Sequence, residues 1–262
     1  MRLFFRLIGF GFYLSRYLLY ATWIHLTTKD PWETRKRIAL LLHNHCQKAL
    51  RYMNVKVSIE GSPIKENHLL VGNHMSYLDV FVMAATVPTN FVTSVEIREV
   101  PILGFLCRIG GCLFVERRNK ENLRKEIQEI TTGLEKGLNV TIFPEATSTN
   151  GDEILRFRKP LYNAAIYAEK AIQPFCLQYL SIDGVPVSKN NRDEICWYGD
   201  MRFPKHFFNL LLKKEIKLQL SFLEPLHVER ERHLETLVQV SYQRVTAVYR
   251  GFPHSDIQEL NF

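Results

Sequence analysis

The sequence predicts an α/β protein: a mixed, largely parallel sheet flanked by helices, with an N-terminal two-helix hairpin associated with a membrane. Three observations carry this. From Val55 onward, short β-rich runs alternate with helical patterns. Before Val55 come two long helical stretches, both carrying basic residues. Polar clusters follow three of the β-rich runs, the place where open α/β sheets gather ligands.

Residues 7–26 are an apolar run of about the twenty residues a spanning helix needs. Arg2 and Arg6 precede it, and Arg16 interrupts it. Arg16 is costly at a bilayer centre but tolerable where the helix lies shallow and the side chain reaches the interface. Tyr13, Tyr17, Tyr20 and Trp23 supply interfacial aromatics. Spanning and interfacial helices both fit the pattern, and a buried core helix of a soluble protein competes with them. No small-residue cleavage site follows, so a cleaved signal peptide is not expected.

Asp30 and Pro31 then start a second helix, Asp30 as cap and Pro31 in the first turn, with Glu33 at the favourable end of the dipole. Trp32, Ile38, Leu41, Leu42, Ala49, Leu50 and Met53 form its apolar positions; Arg35, Lys36, Arg37, Lys48 and Arg51 are basic. A basic amphipathic helix of this type rests on an anionic membrane surface. The expected division is residues 1–53 as a membrane-associated hairpin and 54–262 as the α/β domain.

In the body, strands are expected at 55–60, 68–72, 90–95, 112–116, 139–143, 172–180 and 216–222. Helices are expected at 78–86, 103–108, 120–136 and 162–170. Gly133 and Gly137 read as helix-end signals before the fifth strand. A last amphipathic helix over 233–250 stops at Gly251-Phe252-Pro253. There is no internal repeat and no low-complexity linker.

Composition narrows the partners. The 262 residues carry a net charge of +7, which favours anionic partners. Neither paired zinc-ligand spacings nor an RNP-like aromatic strand occurs, so nucleic acid is not expected and anionic lipid headgroups fit better. The five cysteines form no CxxC pair and sit in apolar stretches, as buried free thiols of a reducing compartment do. Asn139 begins a formal glycosylation sequon but lies in a strand-like run.

Chemistry centres on Gly72-Asn73-His74-Met75-Ser76-Tyr77-Leu78-Asp79. If a helix starts near Ser76, His74 and Asp79 turn toward one pocket. The carboxylate then orients the imidazole and stabilises its protonated form, making His74 a general base toward a hydroxyl. Spacing alone proves little: His25 and Asp30 share it. No G-x-S-x-G elbow is present, which argues against a serine hydrolase. His43 and His45 are two apart on a helix and do not face one metal site, and no metal is expected.

The wider context separates the two pairs. Gly72-Asn73-His74, Gly111-Cys112-Leu113-Phe114-Val115-Glu116-Arg117 and Phe143-Pro144-Glu145-Ala146-Thr147 follow in that order, with a looser Ile172-Gln173-Pro174-Phe175 after them. This series resembles the blocks of the glycerol-3-phosphate / lysophosphatidic acid acyltransferase family over about residues 55–180. The resemblance implies acyl transfer from a thioester, acyl-CoA or acyl carrier protein, to the hydroxyl of a lysolipid, principally 1-acyl-sn-glycerol-3-phosphate, without a further cofactor. It implies His74 and Asp79 as catalytic, and Asn73, Arg117, Glu145, Ala146 and Thr147 as substrate-binding. It also implies membrane lipids as neighbours and a seat on the cytoplasmic face of a bacterial inner membrane. For Arg117 the competing reading is a salt bridge to Glu116 or Glu145; for Glu145 it is helix capping.

Departures from the family pattern concern the acceptor. Ala146 stands where the family has Gly, Ser148 where an arginine usually follows, and the lysine often found before Glu96 is lost. Arg98, Arg156, Arg158 and Lys159 are candidate replacements. Residues 195–201 resemble a block of bacterial acyltransferases that act on lyso-ornithine lipids, whose zwitterionic head needs fewer cations. That acceptor is the alternative; a non-catalytic lipid-binding protein is a third reading.

Overall fold

The computed structural model describes residues 2–100, 102–116 and 120–253. In chain order the elements are α1 (Arg2–Thr27), α2 (Pro31–Tyr52), β1 (Val55–Glu60), β2 (Leu69–Gly72), α3 (Tyr77–Thr86), β3 (Asn90–Ser94), α4 (Val95–Arg98), α5 (Leu103–Ile109), β4 (Leu113–Val115), α6 (Lys120–Glu135), β5 (Val140–Ile142), α7 (Asn163–Tyr167), β6 (Ile172–Ile182), β7 (Val185–Pro186), α8 (Phe203–Leu212), β8 (Ile216–Phe222) and α9 (Leu234–Val248).

The sheet runs β1-β8-β6-β2-β5-β3-β4, with β7 pairing on β6. The five strands from β6 to β4 are mutually parallel, while β8 is antiparallel to β6 and β1 is parallel to β8. All four residues of β2 are buried, as expected of a central parallel strand with helices on both faces. One face packs on α2, α3 and α8 through Leu50, Leu78, Val82 and Leu210. The other packs on α6, α7 and α9 through Ile130, Leu134, Ala164 and Leu237. Alternation along β2 sends Leu70 to the first face and Leu69 and Val71 to the second.

Differences from the sequence expectation have local causes. Gly133 lies inside α6, where a Cβ would stand 3.3 Å from the Trp32 ring, so its smallness serves packing against α2. Gly137 ends the helix: its φ is 90°, its N–H bonds Leu134 O and the next N–H bonds Gly133 O, the double closure of a Schellman motif. The helix expected over 162–170 is shorter, because Glu169 adopts φ 51° and Lys170 N closes on Ala165 O. Helix α8 was not foreseen.

At the N-terminus, α1 and α2 form two successive helices. Asp30 caps α2 by accepting from Trp32 N at 2.9 Å. Tyr17, Ala21 and Ile24 of α1 pack with Ile38 of α2 and Ile109 of α5. Helix α2 is also part of the body: Cys46 and Leu50 enter the sheet core, and His43 Nδ1 donates to Ala84 O at 2.8 Å. The outer side of α1 leaves Phe12 62 %, Leu19 73 % and Leu26 81 % exposed. No helix among the described residues is long and apolar enough to cross a membrane.

Candidate active site

Strand β2 finishes on a glycine, Gly72, because the Phe175 side chain of the neighbouring strand leaves no room for another. A Cβ there would fall 2.4 Å from the Phe175 ring of β6. Beyond it, Asn73 continues the ladder with its side chain. Its Nδ2 donates to Leu177 O and its Oδ1 accepts from Leu177 N, both at 2.8 Å. Asn73 is 1 % exposed, and both ends of its amide are occupied by β6, which anchors the chain just before His74.

His74 follows at the carboxyl end of β2, with its backbone held on both sides by the loop after β5. His74 N donates to Oε1 of Glu145 at 2.7 Å, and Thr149 N donates to His74 O at 2.9 Å. The imidazole stacks on Phe143, with ring centroids 4.0 Å apart and planes inclined by 16°. Its Nδ1 lies 2.9 Å from Oδ2 of Asp79.

Asp79 reaches His74 because Ser76 starts α3. Ser76 is the N-cap, its backbone extended, and Asp79 is the third helical residue, whose carboxylate reaches back to Ser76 N at 2.8 Å. Met75 N donates to the same oxygen at 2.7 Å. The other oxygen, Oδ1, accepts from Tyr179 OH at 2.5 Å. Asp79 is fully buried, and these donors replace the water it has lost. A carboxylate surrounded by donors can only accept, so His74 Nδ1 carries the proton and donates. Nε2 keeps its lone pair. The side chain is 19 % exposed, and Nε2 is thereby set up to take a proton from a hydroxyl.

His25 and Asp30 are the contrast. His25 Nε2 bonds Ile109 O, and Asp30 caps α2. Equal spacing in sequence yields no pair without a helix start between the two residues.

Glu145 is 3 % exposed. Both of its oxygens are engaged, Oε1 by His74 N and Oε2 by Leu155 N at 2.7 Å each. Burial pushes its carboxyl up to about 7, against the pull of those two N–H donors. These bonds position His74 and the loop that follows. Ala146 turns that loop with φ 67°, a conformation that costs a residue with a Cβ. Thr147 is exposed beside it. Ser148 Oγ donates to Trp197 O at 2.5 Å, and Trp197 N donates to Met75 O at 2.8 Å, so the segment after β7 closes against the His74 loop.

Arg117 lies outside the described residues. Of the cations the sequence left unplaced, Arg158 lines a cavity of about 80 Å³ beside Phe143, Pro144 and Ala146, and its N–H bonds Pro144 O. Arg98 stacks over Phe114, its guanidinium 4.5 Å from the ring centroid. Lys159 pairs with Glu235 at 2.8 Å. Tyr179 was missed entirely. In sequence it is one more aromatic in a buried strand, and only the β2–β6 pairing brings it to Asp79.

Comparison with known proteins gives the family. The family model described as Acyltransferase matches residues 54–178, a span that holds His74, Asp79 and Glu145. A lyso-ornithine lipid O-acyltransferase of Brucella abortus is 28 % identical over 247 residues, covering 91 % of this chain and 90 % of its own. A 1-acyl-sn-glycerol-3-phosphate acyltransferase of Neisseria gonorrhoeae is 26 % identical over 178 residues, 67 % of each chain. The crystal structure of the 1-acyl-sn-glycerophosphate acyltransferase from Thermotoga maritima shares the fold, with a TM-score of 0.64 and 20 % identity over 94 % of this chain and 95 % of that one.

Proposed function

The chain belongs to the acyltransferase family, and we propose that it moves a fatty acyl group from a thioester to the hydroxyl of a lysolipid during membrane lipid synthesis. The observation that carries this is the Asp79–His74 pair, with Nδ1 held by the carboxylate and Nε2 left for a substrate. As the lysolipid oxygen attacks the thioester carbonyl, Nε2 takes the hydroxyl proton and Asp79 stabilises the imidazolium. The C–S bond then breaks, an oxygen ester forms, and the imidazolium returns the proton to the departing thiolate. The donor is a thioester of coenzyme A or of acyl carrier protein, and no other cofactor enters the step.

The first acceptor reading is 1-acyl-sn-glycerol-3-phosphate. Arg158 beside Ala146 and Arg117 in the neighbouring block support it as partners for a phosphate. A lyso-ornithine lipid is the second. It is favoured by Ser148, whose hydroxyl is tied to Trp197 O where the family carries a cation, and by the long match to the Brucella enzyme. The purified full-length chain, given a labelled acyl thioester and each acceptor in mixed micelles, separates the two readings; labelled product from neither would sink both.

The exposed apolar side of α1 supports a membrane seat for the enzyme, on the cytoplasmic face where the thioesters are made. Flotation with vesicles tests it: Leu19→Ser with Leu26→Ser should release the protein, and undiminished flotation would contradict the seat.

A further inference from the structure

A second polar recess lies at the far end of β4 from the catalytic loop. Gly111 and Cys112, which precede β4, form part of its wall, whereas the block carrying Glu116 follows that strand. The recess has a volume of about 300 Å³, roughly ten times the ~30 Å³ share of one water in the liquid. Its other walls come from the junction of α1 and α2 and from the end of α5, and they bring together His25, Lys29, Arg35 and Arg108. Among the described residues no acidic side chain lines it.

We propose that this recess binds the phosphate group of an anionic glycerophospholipid in the leaflet on which the enzyme sits. The first support is charge. Four basic side chains converge without an acid in the wall. Among the described residues, Arg35 has an acidic partner, Glu129, in the middle of α6, and Arg108 makes a long 3.4 Å contact with Arg98 O. The second support is an unmet donor: Arg35 Nε is shut off from solvent and has no hydrogen-bond partner among the described residues. An oxyanion in the recess would supply its acceptor once the guanidinium turns to expose it. The α2 N-terminus is not the source of the attraction, because Asp30 already occupies its amides.

The third support is the rim. Trp23 and Leu26 on α1 are 54 % and 81 % exposed, and Ile102 and Phe105 at the start of α5 are 64 % and 48 % exposed. Leu26 adjoins His25 on α1, whereas Trp23, two residues from His25, faces another side of that helix; Phe105 lies one turn before Arg108 on the same helix. A cationic recess bordered by large exposed apolar groups matches a lipid headgroup bordered by acyl chains. A soluble phosphate would need the cations but not that rim.

The test uses the full-length chain with Lys29→Gln/Arg108→Gln. As a control, Lys48→Gln/Arg51→Gln removes the same charge from the other end of α2. Flotation is measured with vesicles of phosphatidylglycerol, and thermal stability is measured with millimolar inorganic phosphate. The recess variant is expected to lose about a hundredfold or more in phosphatidylglycerol affinity, beyond the roughly thirtyfold that two ordinary surface cations account for, and to lose any stabilisation by phosphate. The control should lose distinctly less. Equal losses in both variants would reduce the effect to general surface charge and overturn the proposal, as would unchanged vesicle binding. Lost stabilisation by phosphate with unchanged flotation would assign the recess to a soluble phosphate and likewise overturn the lipid assignment. The proposal assumes the membrane seat above, but its readout is binding. Failure here therefore leaves acyl transfer by His74 untouched.

Discussion

Tyr179 donates its hydroxyl to Oδ1 of Asp79 at 2.5 Å, the carboxylate oxygen that His74 does not use. The catalytic carboxylate is therefore held from both sides, by the start of α3 and by the middle of β6. Asp79 is fully buried and Tyr179 is 2 % exposed, and burial holds the Tyr179 hydroxyl well above its ordinary range, in its proton-donating form. Tyr179→Phe removes a hydrogen bond to a charged group and leaves Asp79 short of one donor. Stability should fall by about 1.5–3 kcal/mol. Acyl transfer should lose about tenfold in kcat with KM for the acceptor little changed, because the residue positions the base through Asp79 and touches no substrate. Urea unfolding and steady-state kinetics read the two effects separately; a loss confined to KM would contradict the positioning role.

Glu145 gives the enzyme a pH-dependent element. Its folded pKa of about 7 lies above the unfolded glutamate value, so between about pH 4.5 and 7 the folded state binds the extra proton. The stability it contributes is fully present below the unfolded pKa and is lost as pH rises through the folded one. The window corresponds to about 3 kcal/mol. Glu145→Gln cannot ionise and lacks this slope. The stability of the wild type minus that of Glu145→Gln should therefore fall as pH rises from 4.5 to 7 in chemical denaturation. A difference that grows across that range would show that the two N–H donors outweigh burial.

Gly72 lies against the Phe175 ring of β6 just before the catalytic residue. In Gly72→Ala the new Cβ would meet three Phe175 ring atoms at 2.4–2.6 Å. Overpacking of this kind costs about 1–3 kcal/mol, and here it falls next to Asn73, which anchors the chain before His74. We expect a destabilised protein with weakened transfer, and Phe175→Leu in the same chain should restore part of both. A neutral Gly72→Ala, by denaturation and by activity, would show that the ring moves freely.

Ala146 has the opposite character. It holds φ 67° with a Cβ, so Ala146→Gly relieves a strain of about 1–2 kcal/mol against the extra chain entropy of glycine, about 0.5–1 kcal/mol. A net gain of up to about 1.5 kcal/mol is expected by thermal or chemical denaturation, with His74 left in place. A clear destabilisation would mean that the methyl group packs usefully against the cavity beside Arg158.

The sheet was readable because strand–helix alternation is a local signal, and β1 and β8 occur with the bounds their residues suggest. The His74–Asp79 geometry was readable for the same reason: it depends on one helix start, at Ser76. What stayed hidden depends on strand order. Asn73 looks like a polar group at a strand end until β6 is placed beside β2 and Leu177 takes both ends of its amide. Tyr179 and Glu145 act on the His74 segment across 100 and 71 residues of chain. Helix α8 carried a usable mark, Pro204 near its N-terminus ahead of an apolar run, though its role against the Tyr77 ring through Phe203 and Phe207 comes only from tertiary packing.

The central claim is that His74 Nε2 takes the proton from the acceptor hydroxyl. Its most direct test is the rate of label transfer from an acyl thioester to a lysolipid by His74→Ala, under saturating substrates and with folding checked by circular dichroism. Loss of a general base predicts a fall of about 10²–10⁴ in that rate, with vesicle binding unchanged. A folded His74→Ala that transfers acyl groups at the wild-type rate would contradict the account.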